Sequence, residues 1–398
     1  MNDRSADVVI VGAGPAGSIA AYEMAGRGHS VLVLDKRQEL GTPKRCAEGI
    51  NIKGLQEVGL EPNPLWAVNK IVGSHIYAPS GKRVEMNDLG TTGFVLERKI
   101  FEKHLAKRAI DAGAKYMVKT LVTDVLKDGD RIVGVKARHM GEEFDVNAKL
   151  VIAADGVDSM TAKRAGINTL NKLSDYHSGF QYEMAGLRIQ NDVLSLYFGV
   201  EVAPKGYVWI FPKGGGIANV GIGIVGVESG EGRRARDYLD KFIASHPEVF
   251  ENASPIEVNA GGIPVKIDAE TFVKDGFMVV GDAAQQVNPI HGGGIALAMR
   301  AAKLCAEVAS SALTEDDVSR ERLLEYETRW MEGDGKHLKR LLKLRYFLEK
   351  LDDKDFENFA VALRGEDIMA LTRGDFKAIV NLALKSPRLL PVAKKFLV

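Results

Sequence analysis

The sequence predicts an α/β fold, α+β overall, in which a parallel sheet with flanking helices is followed by a mostly antiparallel sheet and a helical C-terminal region. Three observations support this prediction. Residues 7–35 read as strand, helix and strand, and both strands are short apolar runs of the kind buried in parallel sheets. Residues 175–265 alternate apolar and polar side chains, as antiparallel strands do. Residues 320–398 have helical spacing, broken by glycines and prolines.

The individual elements follow from local patterns. Apolar runs and alternation predict strands, periodic apolar positions predict helices, and the glycine- and proline-rich stretch 36–95 is turn-rich. The predicted strands cover residues 7–11, 31–34, 121–126, 132–138, 143–147, 150–154 and 277–280, and the predicted helices cover 15–27, 97–112 and 293–313. We expect one domain from residues 1–170 with 266–315, a second from 171–265, and a helical region over 316–398.

Composition excludes several classes of protein. The 53 basic residues balance the 53 acidic ones, so no net field attracts nucleic acid. Cys46 and Cys305 are the only cysteines, which argues against a disulfide scaffold or a zinc ribbon and fits a reducing compartment. Acidic residues stand where a signal peptide has its basic region, and no run of about 18 apolar residues occurs. We therefore expect a cytoplasmic protein that has no resident metal.

A glycine-rich turn joins the first strand to the first helix. Residues 12–17 read GAGPAG, the pattern G-x-G-x-x-G. Gly12 permits the tight turn, Gly14 lets the backbone approach a pyrophosphate, and Gly17 lets helix and strand pack closely. The first helical turn, which includes Ala16, presents free N–H groups to an anion. The pattern predicts a dinucleotide site.

An acidic residue at the end of the second strand supports the same prediction. Asp35 lies 18 residues beyond Gly17, where a carboxylate accepts hydrogen bonds from ribose hydroxyls. Lys36 and Arg37 would suit a 2′-phosphate, but Asp35 would repel it. The alternative interpretation is a glycine-rich turn followed by a surface aspartate.

Two later segments indicate which dinucleotide binds. Asp155-Gly156 ends one buried strand, and Gly281-Asp282 follows another and leads through residues 288–295 into a long helix. With the first glycine motif, these segments resemble in order and spacing the FAD-dependent family of p-hydroxybenzoate hydroxylase type, which has the glutathione-reductase-like FAD fold. The resemblance covers about residues 6–315.

The resemblance assigns cofactor contacts to named residues. It implies that Asp35 binds the adenosine ribose and Asp282 the ribityl chain, and that Gly294 and Ile295 lie against the isoalloxazine. It also implies that Arg98, at the start of the 97–112 helix, contacts FAD. The resemblance places the main chain of Val122 on the adenine side. Without a ligand, Arg98 would be a solvated cation at a helix start and Val122 a core residue.

An aromatic strand marks the substrate half. Tyr207, Trp209 and Phe211 alternate, so all three point to one face of a strand. Spacing alone favours an ordinary aromatic core. However, Tyr-x-Trp-x-Phe-Pro resembles the geranylgeranyl reductase family, a branch of these flavoproteins that includes archaeal digeranylgeranylglycerophospholipid reductases. The resemblance implies an FAD-dependent reductase in isoprenoid lipid biosynthesis, whose substrate is a prenyl lipid.

The segment Pro43–Gly49 strengthens this resemblance. In the archaeal branch a cysteine in this loop lies close to the flavin, which implies that Cys46, Ala47 and Gly49 contact FAD. Saturating an isolated double bond requires a hydride and a proton, and Cys46 is the first candidate for the proton donor, ahead of His291 and Tyr207. The alternative is an unreactive loop cysteine.

The electron donor is left open by the sequence. No second strand–G-x-G-x-x-G–helix pattern occurs, because Gly214-Gly215-Gly216 falls within alternating sheet. NADPH and a donor protein such as ferredoxin both remain candidates.

The C-terminal region carries a basic stretch with interleaved leucines. It predicts peripheral contact with an anionic membrane, on the inner face of the cell membrane, or else the solvated face of a packed helix. The stretch contains Lys336, Lys339, Arg340, Lys343, Arg345 and Lys350, and further cations follow at Lys385, Arg388, Lys394 and Lys395.

Three alternative functions share the predicted fold. They are an aromatic monooxygenase, a geranylgeranyl diphosphate reductase and a non-catalytic prenyl carrier. The aromatic strand favours a longer and more apolar ligand than a single ring, and Asp35 and Asp282 would be useless to a carrier.

Overall fold

A computed structural model describes residues 4–87, 92–169, 171–373 and 375. In chain order its first half contains β1 (Arg4–Val11), α1 (Pro15–Gly26), β2 (Val31–Leu34), β3 (Gly49–Asn51), α2 (Ile52–Gln56), β4 (Ala67–Ile71), β5 (Gly73–Tyr77), β6 (Arg83–Asn87), β7 (Gly93–Leu96), α3 (Arg98–Asp111), β8 (Lys115–Met117), β9 (Thr120–Asp128), β10 (Arg131–His139), β11 (Glu142–Ala153) and α4 (Met160–Ala165).

The second half begins with the antiparallel strands and ends in helices. It contains β12 (Tyr176–Ala185), β13 (Val193–Tyr197), β14 (Tyr207–Gly214), β15 (Ile217–Val225), α5 (Gly226–Gly230), α6 (Ala235–Ala244), α7 (Pro247–Phe250), β16 (Ser254–Pro264), β17 (Val273–Lys274), β18 (Phe277–Val279), α8 (Ile295–Thr314), α9 (Arg320–Trp330), α10 (Lys336–Leu348), α11 (Asp353–Ala362) and α12 (Gly365–Thr372).

The first sheet has the parallel central strands that the sequence predicts. Its order is β17-β18-β11-β1-β2-β8, and β1 pairs in parallel with both β2 and β11. β18 joins β11 in parallel, so the chain returns to this sheet after the middle region, as predicted. Helices α1, α3 and α8 pack together beside it and bury a large apolar core. The predicted α/β fold is confirmed.

One strand prediction was wrong in its division. Residues 143–147 and 150–154 were predicted as separate strands, but β11 runs unbroken from Glu142 to Ala153. Its first part pairs antiparallel with β10, and its later part pairs in parallel with β1. Alternation in the exposed hairpin therefore changes to full burial within a single strand.

The second sheet is mostly antiparallel, in the order β16-β12-β15-β14-β13-β5-β6. Its one parallel pair among the described strands is β13 with β5. Strands β5 and β6 come from the turn-rich stretch 36–95 and from within the range 1–170 that was assigned to the first domain. The domain boundaries remain a prediction. The structure shows in addition that the chain enters the second sheet at β5 and β6, before the predicted start of the second domain.

The helical C-terminal region is confirmed as far as the structure describes it. The predicted break near Gly333 lies between α9 and α10, where Gly333 leaves the helical conformation. The predicted breaks at Pro387 and Pro391 lie outside the described residues.

Candidate active site

A large cavity of about 1030 Å³ opens where the two sheets and the C-terminal helices meet. Its wall contains every residue that the sequence predicted for the site except Gly17. These residues are Gly12, Gly14, Ala16, Asp35, Cys46, Ala47, Gly49, Arg98, Val122, Tyr207, Trp209, Phe211, Asp282, Gly294 and Ile295.

The glycine turn has the shape that a pyrophosphate needs. Gly12 has φ +99°, and a Cβ there would lie 2.4 Å from the Ala154 carbonyl oxygen. A Cβ on Gly17 would lie 1.8 Å from the Gly12 carbonyl oxygen, so Gly17 serves packing between helix and strand. Nothing lies within 4 Å of the Cβ position of Gly14. The N-terminus of α1, which no side chain caps, is therefore open to the cavity.

Asp35 lies at the carboxyl end of β2 and closes one end of the groove. Its Oδ2 accepts a 2.7 Å hydrogen bond from the Ala13 N–H, and both carboxylate oxygens accept from the Arg37 guanidinium. Burial raises the pKa of Asp35, but these partners lower it more, so the carboxylate is charged. Arg37 also pairs with Glu102 at 2.8 Å and points at carboxylates. This pairing agrees with the prediction that the turn does not read a 2′-phosphate.

Asp282 and Gly294 face each other across the other part of the groove. A Cβ on Gly294 would fall 2.9 Å from Oδ1 of Asp282, so the helix start can approach only as glycine. Burial raises the pKa of Asp282, and Arg98 lowers it. The buried Oδ1 of Asp155, in the second predicted motif, has no hydrogen-bond partner among the described residues. These open acceptors fit a polyhydroxylated ligand such as FAD.

Arg98 begins α3 on the cavity wall. Its guanidinium Nε donates to Glu102 at 2.7 Å, and its main-chain N–H donates to Glu48 at 2.6 Å. Burial lowers the pKa of Arg98, but the Glu102 carboxylate and the Cys46 sulfur raise it more. Val122 is buried, and its carbonyl accepts from Arg164 at 3.0 Å. Both residues lie where the sequence placed them, and their contacts with FAD remain predictions.

The three aromatic residues of β14 share one face, as predicted. Phe211 packs on Gly49, whose Cβ would lie 2.8 Å from the ring. Trp209 lies next, with its ring centroid 5.8 Å from that of Tyr207. Tyr207 stacks on Phe198 at 5.4 Å, and Phe198 approaches Phe356 of α11 at 6.0 Å. An aromatic row therefore leads from Gly49 to the C-terminal helices.

Beyond this row the cavity becomes an apolar chamber. One wall is formed by β5, β6 and β13, and the other by α10, α11 and α12. Its apolar lining includes Ile76, Val84, Leu194, Leu196, Phe198, Leu344, Phe347, Leu348, Phe356, Phe359 and Leu363. The sequence did not predict this chamber, because its walls come from three separate parts of the chain: β5 and β6, β13, and the C-terminal helices α10–α12.

The loop of residues 43–49 lies between the two parts of the cavity. The half-buried Cys46 sulfur accepts a 3.1 Å hydrogen bond from the Glu48 N–H. The other candidate proton donors are engaged or poorly suited. The Tyr207 hydroxyl donates to the His291 carbonyl at 2.7 Å, and burial raises its pKa. The His291 ring is open to the cavity, and shielding by the surrounding protein lowers its pKa to about 4.

A buried network of charges and amides supports this loop, and sequence reasoning missed it. Lys44 and Glu48 are both fully buried and 3.3 Å apart. Lys213 pairs with Glu48 at 3.1 Å and with Glu97 at 2.7 Å. Exclusion of water strengthens the attraction between these charges but removes their hydration, so each buried charge depends on its partners. The available signal was the presence of polar residues within otherwise apolar strand stretches. Gln181, Glu183 and Asn219 also belong to the network.

The basic stretch is only partly surface. Lys336, Lys339, Arg340, Lys343 and Lys350 are exposed. Arg345 is buried, and donates to the Val265 and Ser174 carbonyls at 2.8 and 2.7 Å, so its prediction as a membrane-facing cation was wrong. The leucine side of α10 faces the protein core and the chamber rather than lipid. Lys385, Arg388, Lys394 and Lys395 lie outside the described residues.

No helix in the part of the chain that the structure describes is both long and apolar enough to cross a bilayer. In the same residues, no cluster of histidine, cysteine or carboxylate side chains is arranged to hold a metal ion.

Comparison with known proteins matches both the dinucleotide-binding part and the antiparallel-sheet part of the chain to known families. Residues 7–169 match the FAD dependent oxidoreductase family, and residues 175–263 match the geranylgeranyl reductase catalytic domain. A digeranylgeranylglycerophospholipid reductase from Methanothermobacter thermautotrophicus is 40% identical over 396 residues, which are 98% of each chain. One from Methanosarcina acetivorans is 44% identical over 363 residues, 90% of this chain and 88% of the relative.

Solved structures agree with the sequence relatives. A geranylgeranyl bacteriochlorophyll reductase-like protein from Thermoplasma acidophilum has a TM-score of 0.91 and 33% identity, and the match covers 99% of this chain and 100% of that one. A flavin-dependent brominase shares the fold at 20% identity and a TM-score of 0.74, with 93% and 94% covered. The cavity geometry, the two matched domains and these full-length relatives show that the chain belongs to the geranylgeranyl reductase family of FAD-dependent oxidoreductases.

Proposed function

We propose that this enzyme saturates the double bonds of geranylgeranyl chains, and that its substrate is a digeranylgeranylglycerophospholipid of archaeal-type ether-lipid membranes. The continuity of the cavity carries the proposal. The dinucleotide groove, the aromatic row and the apolar chamber form one space, so a long prenyl chain can lie in the chamber and reach the flavin end.

FAD is the cofactor, and the residues of the groove fit it. Gly12 and Gly14 with the start of α1 would hold the pyrophosphate, Asp35 the adenosine ribose, and Asp282 the ribityl chain. When bound and reduced, FAD supplies a hydride. Gly294, Ile295 and the 43–49 loop would hold the ring at the end of the chamber nearest Phe211.

The second hydrogen is a proton, and Cys46 is the favoured donor. An isolated alkene has no group that draws off negative charge, so an acid must protonate one carbon as the other gains hydride. The Tyr207 hydroxyl is already donating to a carbonyl, and the His291 imidazole, with its pKa about 4, is neutral at pH 7. Cys46 faces the same cavity and its sulfur accepts, rather than donates, in the structure. Its place on the cavity wall supports the assignment of Cys46 as the donor.

The substrate is a membrane lipid, and α10 suits delivery from a membrane. Leu344 and Leu348 line the chamber, while Lys339, Arg340 and Lys343 of the same helix are exposed. Each such cation contributes about 1 kcal/mol at an anionic surface. We propose peripheral contact on the cytoplasmic face of the membrane, with NADPH or a donor protein such as ferredoxin as the source of electrons.

Anaerobic single turnover tests the proposed function. The enzyme, reduced by dithionite and freed of excess reductant, is mixed with digeranylgeranylglycerophospholipid without oxygen, and flavin absorbance is followed. We expect reoxidation of the flavin that depends on the lipid. A monooxygenase would remain reduced until oxygen is added, and a prenyl carrier would show no reoxidation. Geranylgeranyl diphosphate as a parallel substrate distinguishes a diphosphate reductase.

A further inference from the structure

Gln181 connects the aromatic strand to the 43–49 loop. It lies on β12, opposite Gly221 of β15, which in turn lies opposite Trp209 of β14. Because Gly221 has no side chain, the indole lies across it, and a Cβ there would fall 2.4 Å from Cζ2 of Trp209. Nε1 of Trp209 therefore reaches Gln181 and donates to its Oε1 at 2.9 Å.

The amide nitrogen of Gln181 points the other way, toward the loop. Its Nε2 donates to the Cys46 carbonyl at 3.1 Å and to Oδ1 of Asn219 at 3.1 Å. Asn219 donates in turn to the Ala47 carbonyl at 3.1 Å. Both amides are buried, at 4% and 0% exposure, so they have exchanged water for these partners.

The loop that these amides hold has an unfavourable backbone conformation. Glu48 has φ 72°, in the left-handed region that side chains other than glycine rarely adopt. Its carboxylate is fixed on both oxygens, by the Arg98 N–H at 2.6 Å and by Nδ2 of Asn219 at 2.7 Å. A conformation of this kind persists only where surrounding contacts determine it, and it places Cys46 on the cavity wall.

We propose that Gln181 and Asn219 are positioning residues that hold the main chain of Cys46 and Ala47 and couple it to Trp209. The substrate-facing aromatic strand and the flavin-facing loop then keep a fixed separation during turnover. The inference rests on the proposed function for its effect on rate, but the coupling itself is a property of the protein before any reaction.

Thiol reactivity tests the coupling in the FAD-bound enzyme without substrate. Cys305 is fully buried, so a thiol reagent added to the native protein reports the half-buried Cys46, with Cys46→Ser as the blank. Gln181→Leu should raise the Cys46 modification rate about fivefold or more, because the loop loses its carbonyl tie. Gln190→Leu, at an exposed glutamine outside the cavity, is the matched control and should leave the rate unchanged.

Turnover gives the second readout. Gln181→Leu and Trp209→Phe should each lower kcat for the lipid about five- to tenfold while KM and dithionite reduction of the flavin stay the same. Because Gln181→Leu already removes the hydrogen bond that Trp209→Phe removes, the double variant should be little slower than Gln181→Leu alone. Multiplicative effects on kcat, or an unchanged thiol rate in Gln181→Leu of wild-type Tm, would overturn the proposal. A wild-type enzyme that does not reduce the lipid would refute the proposed function but leave the thiol test standing.

Discussion

The carboxylate of Asp282 and the Cα of Gly294 lie so close that a Cβ on Gly294 would fall 2.9 Å from Oδ1. The turn after β18 and the start of α8 thus form one edge of the groove, and a carboxylate is held there against a helix N-terminus. Burial raises the pKa of this carboxyl because the charged form is poorly solvated there. Hydrogen bonds from the hydroxyl groups of a ligand would stabilise the charged form.

Asp282→Ala should therefore weaken FAD retention without unfolding the protein. The loss of a buried acceptor for hydroxyl groups costs about 1–3 kcal/mol. Titration of apoprotein with FAD measures the change, and Asp130→Ala, in the exposed turn between β9 and β10, is the control. Unchanged affinity in Asp282→Ala would contradict the assigned ribityl contact.

Moving the Trp209 indole should impair the lipid reaction selectively. In Gly221→Ala the new methyl group would lie 2.4 Å from the indole, which must shift. We expect a loss equivalent to about 1–3 kcal/mol in kcat/KM for the lipid, with FAD content unchanged. Gly26→Ala, where nothing lies within 4 Å of the Cβ position, should behave as wild type. Equal turnover by Gly221→Ala and the wild type would contradict a role for Trp209 in the lipid reaction and would indicate that the aromatic residues of β14 are ordinary core.

Cys46→Ser and Cys46→Ala test the proton donor. Both variants should keep FAD and accept electrons from dithionite at the wild-type rate, because the residues assigned to the pyrophosphate, the ribose and the ribityl chain are unchanged. Both should reduce the lipid slowly or stop after fewer double bonds, since general acid catalysis contributes about 10²–10⁴-fold. Product distribution is measured by mass spectrometry. A wild-type distribution from Cys46→Ala would leave Cys46 as a cofactor contact only.

Replacement of Lys339, Arg340 and Lys343 by glutamate should release the enzyme from anionic vesicles. Attraction to the surface becomes repulsion, and wild-type binding should itself weaken as salt rises. Co-sedimentation with phosphatidylglycerol vesicles measures the effect. The same replacement at Lys115, Lys127 and Arg131, which are exposed on the first sheet, is the control. Equal binding by the two triple variants would contradict membrane docking through α10.

His177 should make the fold sensitive to acid. Burial, with a smaller effect from Arg345, lowers the pKa of this imidazole from 6.5 to about 3. Its Nε2 has no hydrogen-bond partner in the part of the chain that the structure describes. Below pH 6.5 the unfolded chain takes up a proton that the folded chain does not, so stability present above this pH is lost as pH falls toward 3.

The size of this effect follows from the shift. Between pH 7 and pH 5 His177 should account for a loss of about 2 kcal/mol in the free energy of unfolding. Urea titrations at the two pH values measure the loss in the free energy of unfolding. In His177→Gln this loss should be smaller than in the wild type by about 2 kcal/mol. Parallel losses in the two proteins would contradict the assignment.

Local patterns were sufficient to predict the cofactor groove. A glycine turn between β1 and α1 requires small residues at fixed spacing, and Asp35 and Asp282 follow buried strands directly. The sequence therefore places these residues within a few positions of the strand or helix that brings them to the cavity. The alternation of β14 likewise predicted the shared face of Tyr207, Trp209 and Phe211.

The chamber and the buried network could not be predicted in the same way. The pairing of β5 with β13 joins residues 73–77 to 193–197, and no local pattern specifies such a partner. Lys44 and Lys213 read as surface cations until the fold brings them to Glu48. Arg345 was also predicted to be a surface cation, but it is buried, because the fold brings it to carbonyl groups of distant segments.

The mass of the lipid product shows whether the enzyme saturates the double bonds of the prenyl chains. Digeranylgeranylglycerophospholipid is incubated anaerobically with enzyme and dithionite, in ordinary and in deuterated water, and the products are analysed by mass spectrometry. We expect the mass of the lipid to increase by whole pairs of hydrogen atoms on the prenyl chains, up to full saturation. In deuterated water we expect the product to contain deuterium. A lipid of unchanged mass, or a product that gains an oxygen atom when air is admitted, would contradict it.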